Sequence, residues 1–321
     1  MTTTQVSATE RLRAHFAIAR LDHFIKNVFV LPGIVVALSM MHTSLTVAMA
    51  RAILLGFVAT TLIACSNYVL NEVLDAPFDR LHPLKKNRPV ARGVVSIPLA
   101  YAQWILMMLA GIAVARCISR PFAITAAVLW GMGCLYNIRP FRTKDVLYLD
   151  VLSESINNPL RMLLGWYMVT TTLVPPTSLL VSYWMLGCYF MALKRFNELR
   201  EFDSRDAAGA YRKSLARYTE ESLLESILFY ASFAMLMFGA FIMRYRLELI
   251  LSFPFVALIM ATYFHLALKP NSSVQNPEKL YREPMLMAEL LVTTALIFLL
   301  LFVNIPVLGR LFPPSVTSGN Y

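Results

Sequence analysis

Nine apolar runs, near residues 25–41, 46–74, 97–116, 121–138, 149–173, 178–200, 222–243, 247–268 and 285–307, leave this chain few folds to choose from. A helix needs about 17–25 residues to cross a bilayer, and most of these runs reach that length. In hydrocarbon the backbone must satisfy its own hydrogen bonds, which only helices and closed barrels achieve. Runs this long suit helices. The expected fold is therefore all-α: a polytopic transmembrane helical bundle of about nine helices. The first, fourth and fifth runs are short, crowded by a neighbour or interrupted by polar residues. Residues 1–10 are polar and expected to form a disordered tail, 11–307 a single transmembrane catalytic domain, and 308–321 an irregular tail. Residues 11–26 mix cations and apolar residues at roughly helical spacing, as an interfacial helix leading into the first span would. That first span leads into several more without a small-residue cleavage site, so a cleavable signal peptide is not expected.

Charge gives the orientation. With the N-terminus in the cytoplasm, 22 of the 29 Lys and Arg residues fall on the cytoplasmic side and six on the other, and Arg161 lies within a span. The bias of cations toward cytoplasmic loops therefore predicts a cytoplasmic N-terminus. A net charge of +10 on a chain that is 58% hydrophobic excludes an average soluble domain. The cations are scattered among apolar runs without a nucleic-acid-binding motif, so they point to topology and anionic ligands, not to nucleic acid. Cys65, Cys117, Cys134 and Cys188 stand singly, with no metal-type spacing or disulfide framework, and the five histidines are isolated.

The stretch 67–93, NYVLNEVLDAPFDRLHPLKKNRPVARG, carries the densest chemistry. Asn71 and Asp75 lie four apart and share a helix face, with Asp79 one turn on if the helix survives Pro77. Proline makes a kink or an end there the expectation. Cations follow at once: Arg80, Lys85, Lys86, Arg88 and Arg92. Oxygen ligands followed by cations are what a Mg2+-bound diphosphate requires, with carboxylates holding the metal and Lys or Arg taking the remaining charge. A solvated, cytoplasm-facing loop would show the same pattern.

Two further spans are polar in a patterned way. In the fifth, Asp150, Glu154, Asn157 or Asn158, Arg161 and Gly165 recur at steps of three or four, which is one face. Ionisable groups within a span cost about 2.5–3.5 kcal/mol each on insertion scales and usually face a cavity or a partner. The face is expected to line the site, the alternative being a helix–helix network such as Asn157 with Arg161 or Lys144 with Asp150. The sixth ends MALKRFNELREFDSRDA, where Lys194, Glu198 and Glu201 share a face and Arg195 has pairing distance to Glu198; a run of salt bridges on a solvated helix end explains this equally.

The N-E-x-x-D-x-x-x-D of residues 71–79 resembles the first Asp-rich motif of the UbiA superfamily of intramembrane prenyltransferases. The R-L-H-P-x-K-x-N-R-P-x-A-x-G that follows resembles one branch, the bacterial polyprenyl-phosphate (decaprenyl-phosphate) phosphoribosyltransferases. Lys26 and Asn27 correspond to that branch's W-x-K-N, with Phe24 replacing Trp. Tyr136 through Lys144, Leu149-Asp150, the Arg161-x-x-x-Gly165 spacing, Tyr211 to Tyr218 and Pro277-Glu278-x-Leu280 are also similar. Glu72 stands where Asp is usual. Where aromatic prenyltransferases carry a second Asp-rich motif, this chain has Lys194 and Arg195.

The resemblance implies transfer of 5-phosphoribosyl from phosphoribosyl diphosphate to a polyprenyl phosphate, with release of diphosphate, at the cytoplasmic face of the bacterial cytoplasmic membrane. Asn71, Asp75 and Asp79 would hold Mg2+, and Asp75, Asp79, Asn71, Lys194 and Arg161 would act in catalysis. Lys26, Asn27, Glu72, Lys85, Lys86, Arg88, Tyr136, Lys144, Asp150, Glu154, Asn158, Arg195 and Glu198 would contact substrates. Some members of the superfamily form trimers, which leaves a homo-oligomer open. An aromatic-acceptor prenyltransferase using a prenyl diphosphate, or a non-enzymatic polyprenyl-phosphate carrier, are the alternatives.

Overall fold

The computed structural model describes residues 7–42, 44–80, 85–202, 204–269, 272–275 and 277–312, with His23, Ile25 and residues 277–279 described by backbone alone. Leu81-His82-Pro83-Leu84 of the 67–93 motif, residues 1–6 and 313–321 of the expected tails, and the side chains of Pro277 and Glu278 lie outside the description. The described residues form helices and turns, with no strand among them. In chain order the helices are α1 (Ala8–Ile18), α2 (Leu31–Met41), α3 (Val47–Asp79), α4 (Ile97–Arg116), α5 (Arg120–Asn137), α6 (Leu149–Ser155), α7 (Asn157–Val169), α8 (Thr177–Arg200), α9 (Arg205–Tyr211), α10 (Glu220–Tyr245), α11 (Phe253–Leu268), α12 (Pro284–Phe302) and α13 (Pro306–Leu311).

Five stretches among the described residues are long and apolar enough to cross a bilayer: α3, α4, α10, Leu247–Leu268 and α12. Lys26–Met41 is apolar but shorter. The chain is thus a multi-helix integral membrane protein. The fifth run, expected as one span, is broken at Ile156 into α6 and α7. Pro159 in the first turn of α7 lacks the N–H that would bond the Ser155 carbonyl, which explains why the helix does not run through. At the other end of the chain, α1 begins at Ala8, capped by Ser7 Oγ on Glu10 N (3.1 Å), three residues inside the stretch expected to be irregular. It ends before Arg20, whose left-handed backbone (φ 50) separates it from the 3-10 segment Leu21–Val30.

The chain divides into two compact units, residues 1–175 with 198–225, and residues 176–197 with 226–321. In the first, α3 is the axis. It runs 33 residues, with Pro77 inside its last turn, and ends at Asp79, so all four acidic and amide positions of the motif are helical. Ala14 and Ile18 of α1 and Ala19 just beyond it pack on Val69, Val73 and Ala76 of α3, together with Val90, Val94 and Val95 of the following turn and Ala100 of α4. That apolar seam fixes the rotation of α3 and hence the direction of its polar stripe. Gly93, with φ 76, makes the turn into α4 in a conformation that a side chain would strain.

Crossing helices approach closely elsewhere in the same unit. A Cβ on Gly33 of α2 would stand 1.9 Å from the Met162 carbonyl oxygen, and one on Gly165 of α7 would stand 2.0 Å from that of Val30. Gly165 therefore belongs to a backbone-to-backbone crossing, which is its reason for being small.

The second unit is tied by side chains bonding to helix carbonyls. Ser182 donates to Ala234 O (2.9 Å), Tyr189 to Met260 O (2.6 Å) and Asn197 to Ala267 O (2.9 Å). Such bonds satisfy polar side chains where water is excluded.

Candidate active site at the end of α3

Four residues spaced along the last two turns of α3 diverge in what they touch. Asn71 and Asp75 share a face: Asn71 Nδ2 donates to Asp75 Oδ2 (3.1 Å) and to Asn137 Oδ1 of α5 (2.7 Å). Asp75 Oδ1 takes Arg142 Nη2 at 3.1 Å and the Lys144 ammonium in a shorter contact. Lys144 Nζ also donates to Asn137 Oδ1 (2.8 Å), and Arg142 donates from Nε to Asp145 (3.0 Å) and from Nη1 to Asn137 O (3.1 Å). Asp79, one turn on and buried, receives Arg88 Nη1 at 2.6 Å. Glu72 points away from this set. It is buried against Arg20 Nε (3.6 Å) and the Val90 N–H (3.4 Å), where it ties α1's end and the 85–95 turn to α3.

Arg142 and Asn137 are central here yet were not singled out in the sequence. Arg142 takes a left-handed backbone (φ 30) in the short loop after α5, and that turn is what swings its guanidinium back onto Asp75. Lys144, which in the alternative helix–helix network would pair with Asp150, bonds Asp75 and Asn137. Burial pushes its ammonium down to about 8, against the pull of the Asp75 carboxylate.

A second layer of cations comes from the 85–95 turn and from the chain around α9. Lys85 meets the Tyr211 hydroxyl, its ammonium 4.5 Å from that ring's centre. Burial lowers the Lys85 ammonium to about 8, with the Glu198 carboxylate opposing. Arg212 Nη1 donates to the Tyr136 hydroxyl at 3.2 Å. In the sequence Tyr211 and Arg212 stand out only as part of the Tyr211 to Tyr218 stretch. Their placement depends on Asp150, which is fully buried and accepts from Ser214 Oγ (3.1 Å) and Tyr218 Oη (2.7 Å). The Tyr218 hydroxyl in turn accepts from the Tyr148 N–H (2.9 Å). Lys86 is exposed on the same turn.

Lys26 stands 5.5 Å from the Tyr68 ring centre, and Asn27 Nδ2 donates to Thr61 Oγ1 (2.8 Å). On α7, Asn157 Nδ2 bonds to the Glu154 carbonyl (2.9 Å) in place of Arg161, while Asn158 is half-buried. Arg161 is 9% exposed, and its Nε is buried with no hydrogen-bond partner among the described residues. Lys194 and Arg195 lie on α8 within the second unit, Arg195 buried; Glu198 belongs to the first unit.

Asn71, Asp75 and Asp79 supply oxygen donors only, from one helix within about two turns. No group of three or more His, Cys, Asp or Glu among the described residues could hold a metal by itself. Two carboxylates and an amide suit Mg2+, which is usually bound by one or two carboxylates, with substrate phosphates and water completing its octahedron. The residues therefore fit that ion.

The profile of the UbiA prenyltransferase family matches residues 29–290. An uncharacterised protein of Sinorhizobium fredii is 32% identical over 110 residues, 34% of this chain and 21% of that protein. The decaprenyl-phosphate phosphoribosyltransferase of Mycobacterium tuberculosis is 30% identical over 201 residues, 62% of this chain and 64% of that enzyme. The chain thus spans less than two thirds of either relative. Among solved structures, a UbiA homologue from Archaeoglobus fulgidus bound to GPP and Mg2+ superimposes with a TM-score of 0.64 at 17% identity, covering 89% of this chain and all of the homologue. At that identity the likeness is one of fold.

Proposed function

The chain belongs to the UbiA prenyltransferase family, and from that premise we propose that this membrane enzyme transfers 5-phosphoribosyl from phosphoribosyl diphosphate to a polyprenyl phosphate. One observation carries the reading: two carboxylates one turn apart are ringed by cations, Arg142 and Lys144 on Asp75 and Arg88 on Asp79, with Lys85 and Arg212 nearby. A prenyl diphosphate has one anionic group and a neutral tail. Phosphoribosyl diphosphate has two anionic groups and its acceptor adds a third, which suits a site this rich in cations. The relative named decaprenyl-phosphate phosphoribosyltransferase supports the same choice.

In this reading Asn71, Asp75 and Asp79 would hold Mg2+, which when bound supplies neutralisation of the leaving diphosphate. Arg142 and Lys144, which pair with Asp75, would turn their remaining donors to phosphate oxygens. Arg161, with a buried Nε seeking an acceptor, is assigned to another phosphate oxygen. The C1–O bond breaks with its electron pair leaving on diphosphate, and an acceptor phosphate oxygen forms the new bond to C1 from the opposite face. The acceptor is already anionic at neutral pH, so positioning and charge neutralisation suffice without a strong general base.

The purified protein, given labelled phosphoribosyl diphosphate, polyprenyl phosphate and Mg2+, is expected to produce labelled lipid and diphosphate in equal amounts. Prenyl transfer from a prenyl diphosphate to an aromatic acid, with phosphoribosyl diphosphate ignored, would overturn the reading.

A further inference from the structure

Beside the acidic stripe of α3, offset by one residue, runs an apolar one: Leu70, Leu74 and Phe78. Together with Tyr101 and Trp104 of α4 these residues wall a groove of about 530 Å3. That volume lies within the roughly 300–1,000 Å3 of pockets that take small organic ligands. The aromatic wall is braced from behind, Trp104 stacking on Trp130 of α5 with ring centres 5.4 Å apart.

One end of the groove is cationic. Arg139 and Arg142 line it there. Arg139 is exposed and makes no ion pair or hydrogen bond with the described residues. Arg142 is held 5.1 Å from the Phe78 ring centre and bonds Asp75, so a single guanidinium borders both the groove and the acidic stripe. Asn137, which bonds Asn71 and Lys144, also lines both.

We propose that this groove seats the lipid acceptor, an isoprenoid chain ending in a phosphate. Its proximal isoprene units lie on Leu70, Leu74, Tyr101 and Trp104, and its phosphate is held by Arg139 at the end where Arg142 leads to Asp75. The inference rests on the polyprenyl-phosphate reading of the preceding section and adds to it a location. The charge pattern selects this occupant over a neutral isoprenoid, whose alcohol would leave Arg139 without a counter-charge. Sharing Arg142 and Asn137 with the acidic stripe selects it over a bulk phospholipid, which has no reason to be led to a reacting centre.

The test is equilibrium binding of undecaprenyl phosphate to the purified full chain without donor, with undecaprenol and phosphatidylglycerol as competitors. Arg139→Glu is expected to weaken undecaprenyl phosphate at least tenfold and leave undecaprenol unchanged. Leu74→Trp, which fills the groove without touching charge, is expected to weaken both. Pyrophosphate binding should be the same in both variants as in the parent chain, which also reports that they fold. Unchanged affinity in both variants, or equal competition by phosphatidylglycerol, overturns the proposal. The two readings fail separately: phosphoribosyl transfer with an unchanged acceptor KM in both variants removes the groove and keeps the activity. Variant-sensitive binding without transfer keeps the groove and removes the activity.

Discussion

Asp75 is bonded to two buried cations, and this decides how its removal reads out. Asp75→Asn keeps the shape but leaves Lys144 and Arg142 facing an amide, and breaking a buried pair typically costs about 3–5 kcal/mol. The loss here should fall at or below the lower figure, because Lys144, already held near 8, can shed its proton. Asp75→Asn should therefore be folded but less thermostable, and transfer should fall at least a hundredfold at any Mg2+ concentration. Adding Lys144→Met should restore thermostability without restoring turnover; recovery of turnover would remove Asp75 from the chemistry. Lys85 gives a pH signature. Its pKa is depressed from 10.5 to about 8 by burial, so its charge is lost between pH 7 and 9. For a lysine with a lowered folded pKa the native state releases its proton before the unfolded chain does, so this group's contribution to stability rises between about 8 and 10.5. kcat/KM for the phosphate-bearing donor should fall over pH 7 to 9 while thermostability does not. Lys85→Arg should flatten that fall. At this scale the spacing of Asn71, Asp75 and Asp79 was legible because all three lie on one helix. Arg142 was hidden because it reaches Asp75 only through a left-handed turn in a loop, which no periodicity records. Glu72, next to Asn71 in sequence, faces another way because adjacent helical residues point about 100° apart.

Helices in this chain are positioned by small residues and by buried carboxylates that hold loops. Gly165 looked like the end of a polar stripe, and structure makes it a crossing point where α7 backs onto the Val30 carbonyl. Gly165→Ala puts a methyl where backbone already stands and should cost about 3 kcal/mol, the upper part of the range for overpacking. Gly131→Ala, on α5 with nothing within 4 Å of the new carbon, should instead be neutral or stabilising by roughly 0.5–1 kcal/mol. Thermal unfolding in detergent separates the two, and equal effects would deny the crossing. The same logic treats Asp150 as a positioning residue. Its carboxylate anchors Ser214 and Tyr218, so Asp150→Ala should free the chain around Arg212. Faster tryptic cleavage after Arg212, Lys213 or Arg217, with a raised donor KM and a smaller change in kcat, is the expected result; an unaltered digestion pattern would contradict it. The all-helical class was legible in the sequence, because apolar runs of bilayer length permit little else, whereas five described stretches, against the nine runs expected, are long and apolar enough to span. Sequence reading missed the break at Ile156 because polar periodicity continues smoothly across Pro159.

Membership of a membrane family says nothing about which face the site opens to, and the orientation rests on the distribution of charge. The acidic stripe, the 85–95 turn and α9 all fall in segments assigned to the cytoplasmic side by the 22-to-6 asymmetry of Lys and Arg. Loops bearing cations resist translocation, so the asymmetry predicts a topology independently of any ligand. The chemistry makes the same demand, since a charged, soluble donor such as phosphoribosyl diphosphate has to arrive from the compartment that makes it. Cysteine labelling in intact cells tests both at once. After Cys65, Cys117, Cys134 and Cys188 are replaced by Ser, Arg51→Cys and Arg120→Cys, at the opposite helix ends, should react with a membrane-impermeant maleimide added outside. Lys86→Cys and Arg205→Cys should react only after the membrane is opened. If Lys86→Cys labels from outside, the cationic face is external, the soluble donor has no route to Asp75 and Asp79, and the phosphoribosyl reading fails on topology before any assay of transfer.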